Sequence, residues 1–535
     1  MKSSHWLTTL LLCALAACSA GDEGALMGIL RDSCSHPYDP LSSYQWHIDN
    51  KGQFGGVADQ DANILPVWSS GICGRGIRIA IVDDGLQIGH EDLAGSIEAG
   101  ASYNFLTGTT DPTSKTAGHG TSMAGLVAGP MNRIGIHGVA PLAFLRGYNL
   151  LQNPGAANEG EAMSRDAANV DVSVNGWGPT SRTGQLSNSS SNWRSAIDTG
   201  LSTGRSGKGT VYVWAAGDGA QPASLATEID NSNYNGYANY YGVTAICAFG
   251  QDGKRPAYSV QGANLWVCAP STGNDGRALA TTDLIGSSGY NQGNSASDFS
   301  SANYTSSFGG THGATGIAGG VVALILASNP ALSWRDVKII LAQSARKVDP
   351  TDSDWAVNGA GMNINHKYGF GAIDAGAAVQ LAQTWTNVGS LLTFTSALDS
   401  PGSVIADGGP GAAALDNMVI AGTGISKLEF VDITVTFTHP YPGDVRIVIQ
   451  SPDGTQSVLA RERSCRSTSN ASTVVACSPT TVTWRFGSAR LLGESPDGTW
   501  TLSLQDMQNT ASLGGAYTIN GNGTFTSWQL KFYGR

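Results

Sequence analysis

The sequence predicts an α/β fold, a doubly wound and mostly parallel sheet, followed by an all-β jelly-roll-like sandwich. Two observations carry the prediction. Runs rich in Val, Ile and Ala alternate with helix-like segments as far as residue 383, the pattern of a parallel sheet with helices on both faces. From about Ser390 the runs become short and alternating, separated by Gly, Pro, Asp and Asn, as in an antiparallel sandwich. Composition agrees: 41% hydrophobic against 13% charged residues fills a sizeable core, and 70 glycines among 535 residues supply tight turns and close backbone approaches. A formal charge of -11 with no Lys/Arg run argues against a nucleic-acid partner.

The elements follow in chain order. Lys2 precedes an apolar run over residues 7–17 that ends in Leu15-Ala16-Ala17-Cys18. The run is shorter than the roughly 20 residues a membrane span needs. It resembles a bacterial lipoprotein signal, which implies residues 1–18 as signal peptide, Cys18 as a lipid anchor, and an exported chain in the periplasm, on the outer membrane or outside the cell; ordinary cleavage near Ala17 or Ala20 is the alternative. Six cysteines follow the signal, an even count that reads as disulfides. Sequence alone leaves their connectivity open, and pairing of neighbours would join Cys34 to Cys73, Cys247 to Cys268 and Cys465 to Cys477.

Residues 77–82 form a β-branched run that stops on Asp83, Asp84 and Gly85, a parallel strand delivering an acid at its C-terminal end. Gly118-His119-Gly120-Thr121 opens a helix of small residues, so His119 stands at its start. Further strands are expected at 171–174, 210–216 and 242–249, with a helix at 192–201 between them. Residues 317–328 are almost wholly apolar and predict a buried core helix. A second helix opens at Ser333-Trp334-Arg335-Asp336 and a last one covers 375–383. In the sandwich, strands are expected at 428–437, 444–450, 499–505 and 527–533.

A strand-end Asp, a Gly-flanked His opening a helix and a small-residue loop entering a buried helix are the parts of a Ser-His-Asp acyl-transfer site. With these residues the chain resembles the subtilisin superfamily, in its kexin/furin branch. The matching motifs are Asp83-Asp84-Gly85 with His90-Glu91-Asp92-Leu93, Gly118-His119-Gly120-Thr121, Trp177-Gly178-Pro179, the segment 212–219, Thr281-Thr282-Asp283-Leu284 and Tyr368-Gly369-Phe370-Gly371. Tyr441-Pro442-Gly443-Asp444 and Ser495-Pro496-Asp497-Gly498-Thr499-Trp500 resemble the P (Homo B) domain of the convertases. The resemblance implies a signal at 1–18, an N-terminal segment at 19–37, a catalytic domain at 38–387 and a P domain at 388–535. A sugar-binding sandwich is the rival reading of the last part.

The resemblance implies that Asp83 orients the imidazole and His119 is the general base and acid. Asp84 would favour a basic side chain beside the scissile position, with a turn-forming role as the alternative. The nucleophile motif departs from the family: Gly310-Thr311-His312-Gly313-Ala314 carries His312 where serine belongs. The ring is expected to crowd His119 and to sit at a helix start that disfavours its protonated form. Ser306, Ser307, Thr311 and Thr315 are nearby hydroxyls outside the motif position. Asp218 occupies the oxyanion position, where the family usually has Asn.

Peptide or protein substrate is expected along Gly176, Trp177, Gly178 and Pro179, with Ser181, Asn235 and Val260 at positions that carry acids in dibasic-specific relatives. Strict dibasic specificity and a second calcium site are therefore not expected. One structural Ca²⁺ site is implied at Asp39, Asp92 and Asn132 with carbonyls of Pro130, Ile134 and Ile136. The short stretch before Tyr38 leaves no room for an inhibitory propeptide domain, so a separate folding chaperone is expected. The reading is a kexin-like serine endopeptidase scaffold, inactive or strongly impaired in this chain; the alternative is a non-catalytic peptide-binding pseudoprotease lipoprotein.

Overall fold

The computed structural model describes Cys34 and residues 39–220, 228–407, 412–469, 473–508 and 521–535. The expected signal peptide and most of the segment up to residue 38 lie outside the described residues. The first domain is built on six parallel strands in the order β2-β1-β3-β4-β5-β6: β1 Arg78–Val82, β2 Phe144–Tyr148, β3 Val172–Asn175, β4 Val211–Ala215, β5 Val243–Phe249 and β6 Leu265–Pro270. Every residue of β3 to β6 is buried, because helices cover both faces. Alternation along β4 proves the sandwiching. Val213 packs toward Gly319 of helix Gly310–Ser328, whereas Trp214 on the opposite face meets Trp193 of helix Ser191–Gly207.

Helix Gly310–Ser328 is buried over almost its whole length and packs against β3 to β6 and helix His119–Ala128. It is the one described helix long and apolar enough to cross a membrane, and it is a core element here. It begins seven residues earlier than the apolar run suggests. Glycines at 310, 313 and 316 read as loop in the sequence, but Asp218 accepts the Thr311 amide and lets the helix start there. The helix expected at 192–201 runs on past Leu201, and its backbone leaves helical geometry at Gly204. Helix Trp334–Ser344 has a reciprocal capping box between Ser333 and Asp336.

The second domain is an antiparallel sandwich. One sheet orders Leu392–Thr395, Gly523–Gly534, Leu428–Thr438 and Thr481–Ser488, with Ser403–Ile405 on its edge; the other orders Ala414–Ile420, Gly498–Asp506, Val445–Gln450 and Gln456–Ala460. Trp500, Trp528, Phe525 and Phe532 fill the space between them. The domains meet over polar and aromatic contacts. Arg335 makes a two-pronged ion pair with Glu429, both buried, and Tyr241 stacks on Tyr533 with ring centroids 4.0 Å apart. The three disulfides join Cys34 to Cys73, Cys247 to Cys268 across adjacent strands β5 and β6, and Cys465 to Cys477.

Candidate active site

Beside β1 the strand order reverses, with β2 on one side and β3 on the other. Crevices form at such points, at the carboxyl ends of the strands. Asp83 leaves the end of β1 and Gly176 the end of β3, so both reach this crevice. Helix His119–Ala128 is drawn onto the end of β1 through Gly120, where a Cβ would stand 2.0 Å from the Gly85 carbonyl oxygen and 2.9 Å from Asp83 Cβ. That close approach sets His119 Nδ1 2.8 Å from Asp83 Oδ1. Asp84 Oδ2 and Oδ1 accept the His119 and Gly120 amides at 3.1 and 2.8 Å, satisfying two donors of the helix start. Burial, then repulsion from Asp83, pushes the Asp84 carboxyl up to about 6.

His312 sits in the first turn of helix Gly310–Ser328, with Nδ1 2.9 Å from His119 Nε2. The expected crowding does not occur: the rings meet edge to face, centroids 5.0 Å apart at 78°, and share a hydrogen bond. Asp83 holds one proton on His119 Nδ1, and a single proton bridges His119 Nε2 and His312 Nδ1. Burial opposes charge on His119, but the Asp83 carboxylate outweighs it and raises the imidazole above its ordinary value. Burial, with His119 alongside, lowers His312 despite Asp218.

Gly310 has φ 72°, and a Cβ there would lie 2.2 Å from Asp218 Oδ2. The glycine lets Asp218 reach the helix start. Its Oδ1 accepts the Thr311 amide at 2.8 Å and the Thr311 hydroxyl at 2.7 Å, and its Oδ2 is 3.6 Å from His312 Nε2. Asp83, His119, His312 and Asp218 thus form one continuous line of carboxylate, imidazole, imidazole, carboxylate. The nearby hydroxyls are engaged elsewhere: Thr311 also accepts from the Gly217 amide, Thr315 donates to the Thr311 carbonyl, Ser306 donates to Asp298, and Ser307 pairs with Thr305.

A cleft of about 440 Å³ runs from Asp83, Asp84, His119 and His312 along Gly176, Trp177, Gly178 and Pro179 to Ser181, Asn235 and Val260. Asn235 is held by accepting the Tyr237 and Ala238 amides. The far end is not stripped of acids as the neutral positions 181, 235 and 260 suggested, because Asp230 also lines it. Asp230 Oδ1 accepts the Gly184 amide at 2.7 Å and Oδ2 accepts the Arg182 amide. Asp230 belongs to no local pattern, and Tyr234 stands out only as the neighbour of Asn235 in Tyr234-Asn235-Gly236-Tyr237; folding turns their loop toward the cleft.

The other predicted cluster lies apart. Asp39 Oδ1 accepts the Asn132 and Arg133 amides at 3.1 and 2.6 Å, and Oδ2 is 2.8 Å from His137 Nδ1. Asp92 Oδ2 accepts the Ile136 amide, Asn132 Oδ1 accepts the Ile134 amide, and Pro130 is buried where this turn begins. Asp92 Oδ1 is buried without a hydrogen-bond partner, and burial pushes the carboxyl up to about 8. An orphaned buried oxygen beside a second carboxylate and an amide oxygen fits a hard, oxygen-coordinated cation. Among the described residues no three His, Cys, Asp or Glu side chains converge on one metal position.

Residues 74–371 match the subtilase family and residues 428–532 match the proprotein convertase P-domain. The chain belongs to the subtilase family. Furin-like protease 2 of Drosophila melanogaster is 31% identical over 94% of this chain and 29% of its own length. Furin of Rattus norvegicus is 30% identical over 94% and 59%. The chain therefore spans less than two thirds of either relative. Among solved structures, the serine protease of Aeromonas sobria superposes with a TM-score of 0.82 at 27% identity, covering 94% of this chain and 97% of that one. The same protease in complex with its chaperone ORF2 gives 0.81 at 26% identity, over 94% and 97%. In this subtilase the scaffold of a serine protease is present.

Proposed function

We propose that the chain is a kexin-like subtilisin-type serine endopeptidase scaffold whose peptide-bond hydrolysis is abolished or strongly reduced by His312. One observation carries this: His119 Nε2, which should take a proton from a serine hydroxyl, is hydrogen-bonded to His312 Nδ1 at 2.9 Å instead. The base is oriented by Asp83 but has no nucleophile to activate. Asp218 adds a second defect, since its carboxylate stands as an acceptor where the developing oxyanion needs a donor. Hydrolysis of a peptide panel by the chain and by His312→Ser tests the reading, and restoration by serine supports it.

The open cleft of about 440 Å³ favours retention of peptide binding along Gly176 to Pro179, the substrate lying as an added strand. This supports the second reading, a non-catalytic peptide-binding lipoprotein, which predicts peptide affinity with no turnover in either form. Asp84 lines the same cleft and would be a carboxylate above about pH 6, available to a neighbouring basic side chain. A structural Ca²⁺ at Asp39, Asp92, Asn132 and the 130–136 loop would neutralise the orphaned Asp92 oxygen. The Aeromonas sobria complex supports a separate chaperone as folding partner. Three disulfides support export, with Cys18 as the lipid anchor. A boundary at 387/388 would fall between helix Ala375–Gln383 and strand Leu392–Thr395.

A further inference from the structure

Loop 181–187 forms one wall of the cleft through Ser181, Thr183, Gln185 and Ser187. Its outer side is held by the other domain. Arg463 Nε donates to the Gly184 carbonyl at 2.6 Å, the Arg466 amide donates to the Thr183 carbonyl at 2.8 Å, and the disulfide Cys465–Cys477 ties down the segment that carries both arginines. The amide of the same residue, Gly184, donates to Asp230 Oδ1 at 2.7 Å, so one residue links Arg463 to the carboxylate in the cleft. Arg463 is buried, and its guanidinium carbon lies 4.0 Å over the ring of Tyr234, another residue of the cleft wall. The Tyr234 hydroxyl in turn exchanges hydrogen bonds of 3.2 Å with the Arg461 backbone.

We propose that Arg463 of the sandwich domain is a specificity-determining residue of the cleft: it positions Gly184 and Tyr234 from behind, places a positive charge behind Asp230, and biases the pocket toward uncharged side chains. This rests on the cleft being a peptide site. The carboxylate has both oxygens on backbone amides and a cation beyond them, so a lysine or arginine side chain gains little from it. The other walls, Ser181, Asn235 and Val260, offer no charge. Burial raises the Asp230 carboxyl, and the amides and then Arg463 oppose that rise. The sandwich would therefore take part in selection as well as in stability, which the catalytic domain's own sequence gives no sign of.

The test is fluorescence-polarisation binding of short peptides with free C-terminal Arg, Lys, Gln or Leu to the full chain and to Arg463→Gln, Arg463→Lys and Asp230→Asn. Arg463→Gln should raise the Arg-over-Leu affinity ratio by about tenfold, a 1.4 kcal/mol change, while Arg463→Lys, which keeps the charge, stays near the parent. Asp230→Asn should leave the ratio near the parent's, because its charge is already offset, and it carries the test if Arg463→Gln does not fold. An unchanged ratio in folded Arg463→Gln overturns the assignment, as does an equal shift in Arg463→Lys or a marked fall in Asp230→Asn. Absence of binding by every peptide to the parent chain removes the peptide-cleft reading itself, an outcome distinct from binding without selectivity change.

Discussion

Replacing His312 by serine tests the chemistry most directly. In the present chain His119 Nε2 and His312 Nδ1 share a hydrogen bond of 2.9 Å. A serine Oγ would occupy the position of the ring Cγ, one bond further from His119, at the loose end of nucleophile–base contacts in ligand-free sites. In subtilisin, removal of the serine costs about 10⁶ in turnover, or about 8 kcal/mol of barrier, and loss of the oxyanion asparagine costs about 10² to 10³. Restoring serine while Asp218 remains should therefore recover about 10³- to 10⁴-fold. Asp218→Asn on top should recover a further 10²- to 10³-fold, because its Oδ1 can still accept from Thr311 while the amide nitrogen replaces Oδ2 on the side facing residue 312. Asp218→Asn alone should gain nothing, having no nucleophile to assist. Initial rates on quenched peptides, with fluorophosphonate labelling to count reactive serines, give the readout. A folded double variant that neither labels nor hydrolyses refutes the reasoning, as does a parent chain that turns over as fast as His312→Ser.

Three further outcomes follow from the geometry. Arg335→Ala takes one of two arginines from Glu429, which is buried at 7% exposure and keeps Arg535 3.1 Å from its Oε1, so the cost in urea unfolding should fall below the about 3–5 kcal/mol of a fully broken buried pair; a cost within error would mean the domain interface does not depend on Arg335. His366, whose Nε2 accepts the Val458 amide of the sandwich while Nδ1 faces Asp354, is lowered to about 4 by burial and then by Arg490. The unfolded chain then binds the extra proton first, so stability should fall by up to about 3 kcal/mol from pH 6.5 to 4, and His366→Gln should flatten that slope in melts across the range. Chelator should lower the melting temperature of the parent chain, and Asp92→Asn should abolish the difference; an unchanged melting temperature with and without chelator would dismiss the calcium site.

Much of this molecule was legible before folding because its signals are local. The β-branched run ending on Asp83, the glycines around His119, the Ser333 cap and the alternation of the sandwich strands each depend on residues a few positions apart, where sterics and period decide the outcome. The departure at position 312 is likewise a local fact, read from Gly310-Thr311-His312. Tertiary structure alone decided what that histidine does. Whether it clashes with His119 or bonds to it depends on two rings brought together from distant parts of the chain. The same holds for Asp84, whose oxygens close a helix start, and for Asp230, which only folding aims at the cleft. The link from Arg463 through Gly184 to that carboxylate crosses two domains. Local propensity sets where elements begin and which face is apolar, but side-chain partners separated by hundreds of residues are chosen by packing, and packing is where this site acquired its present form.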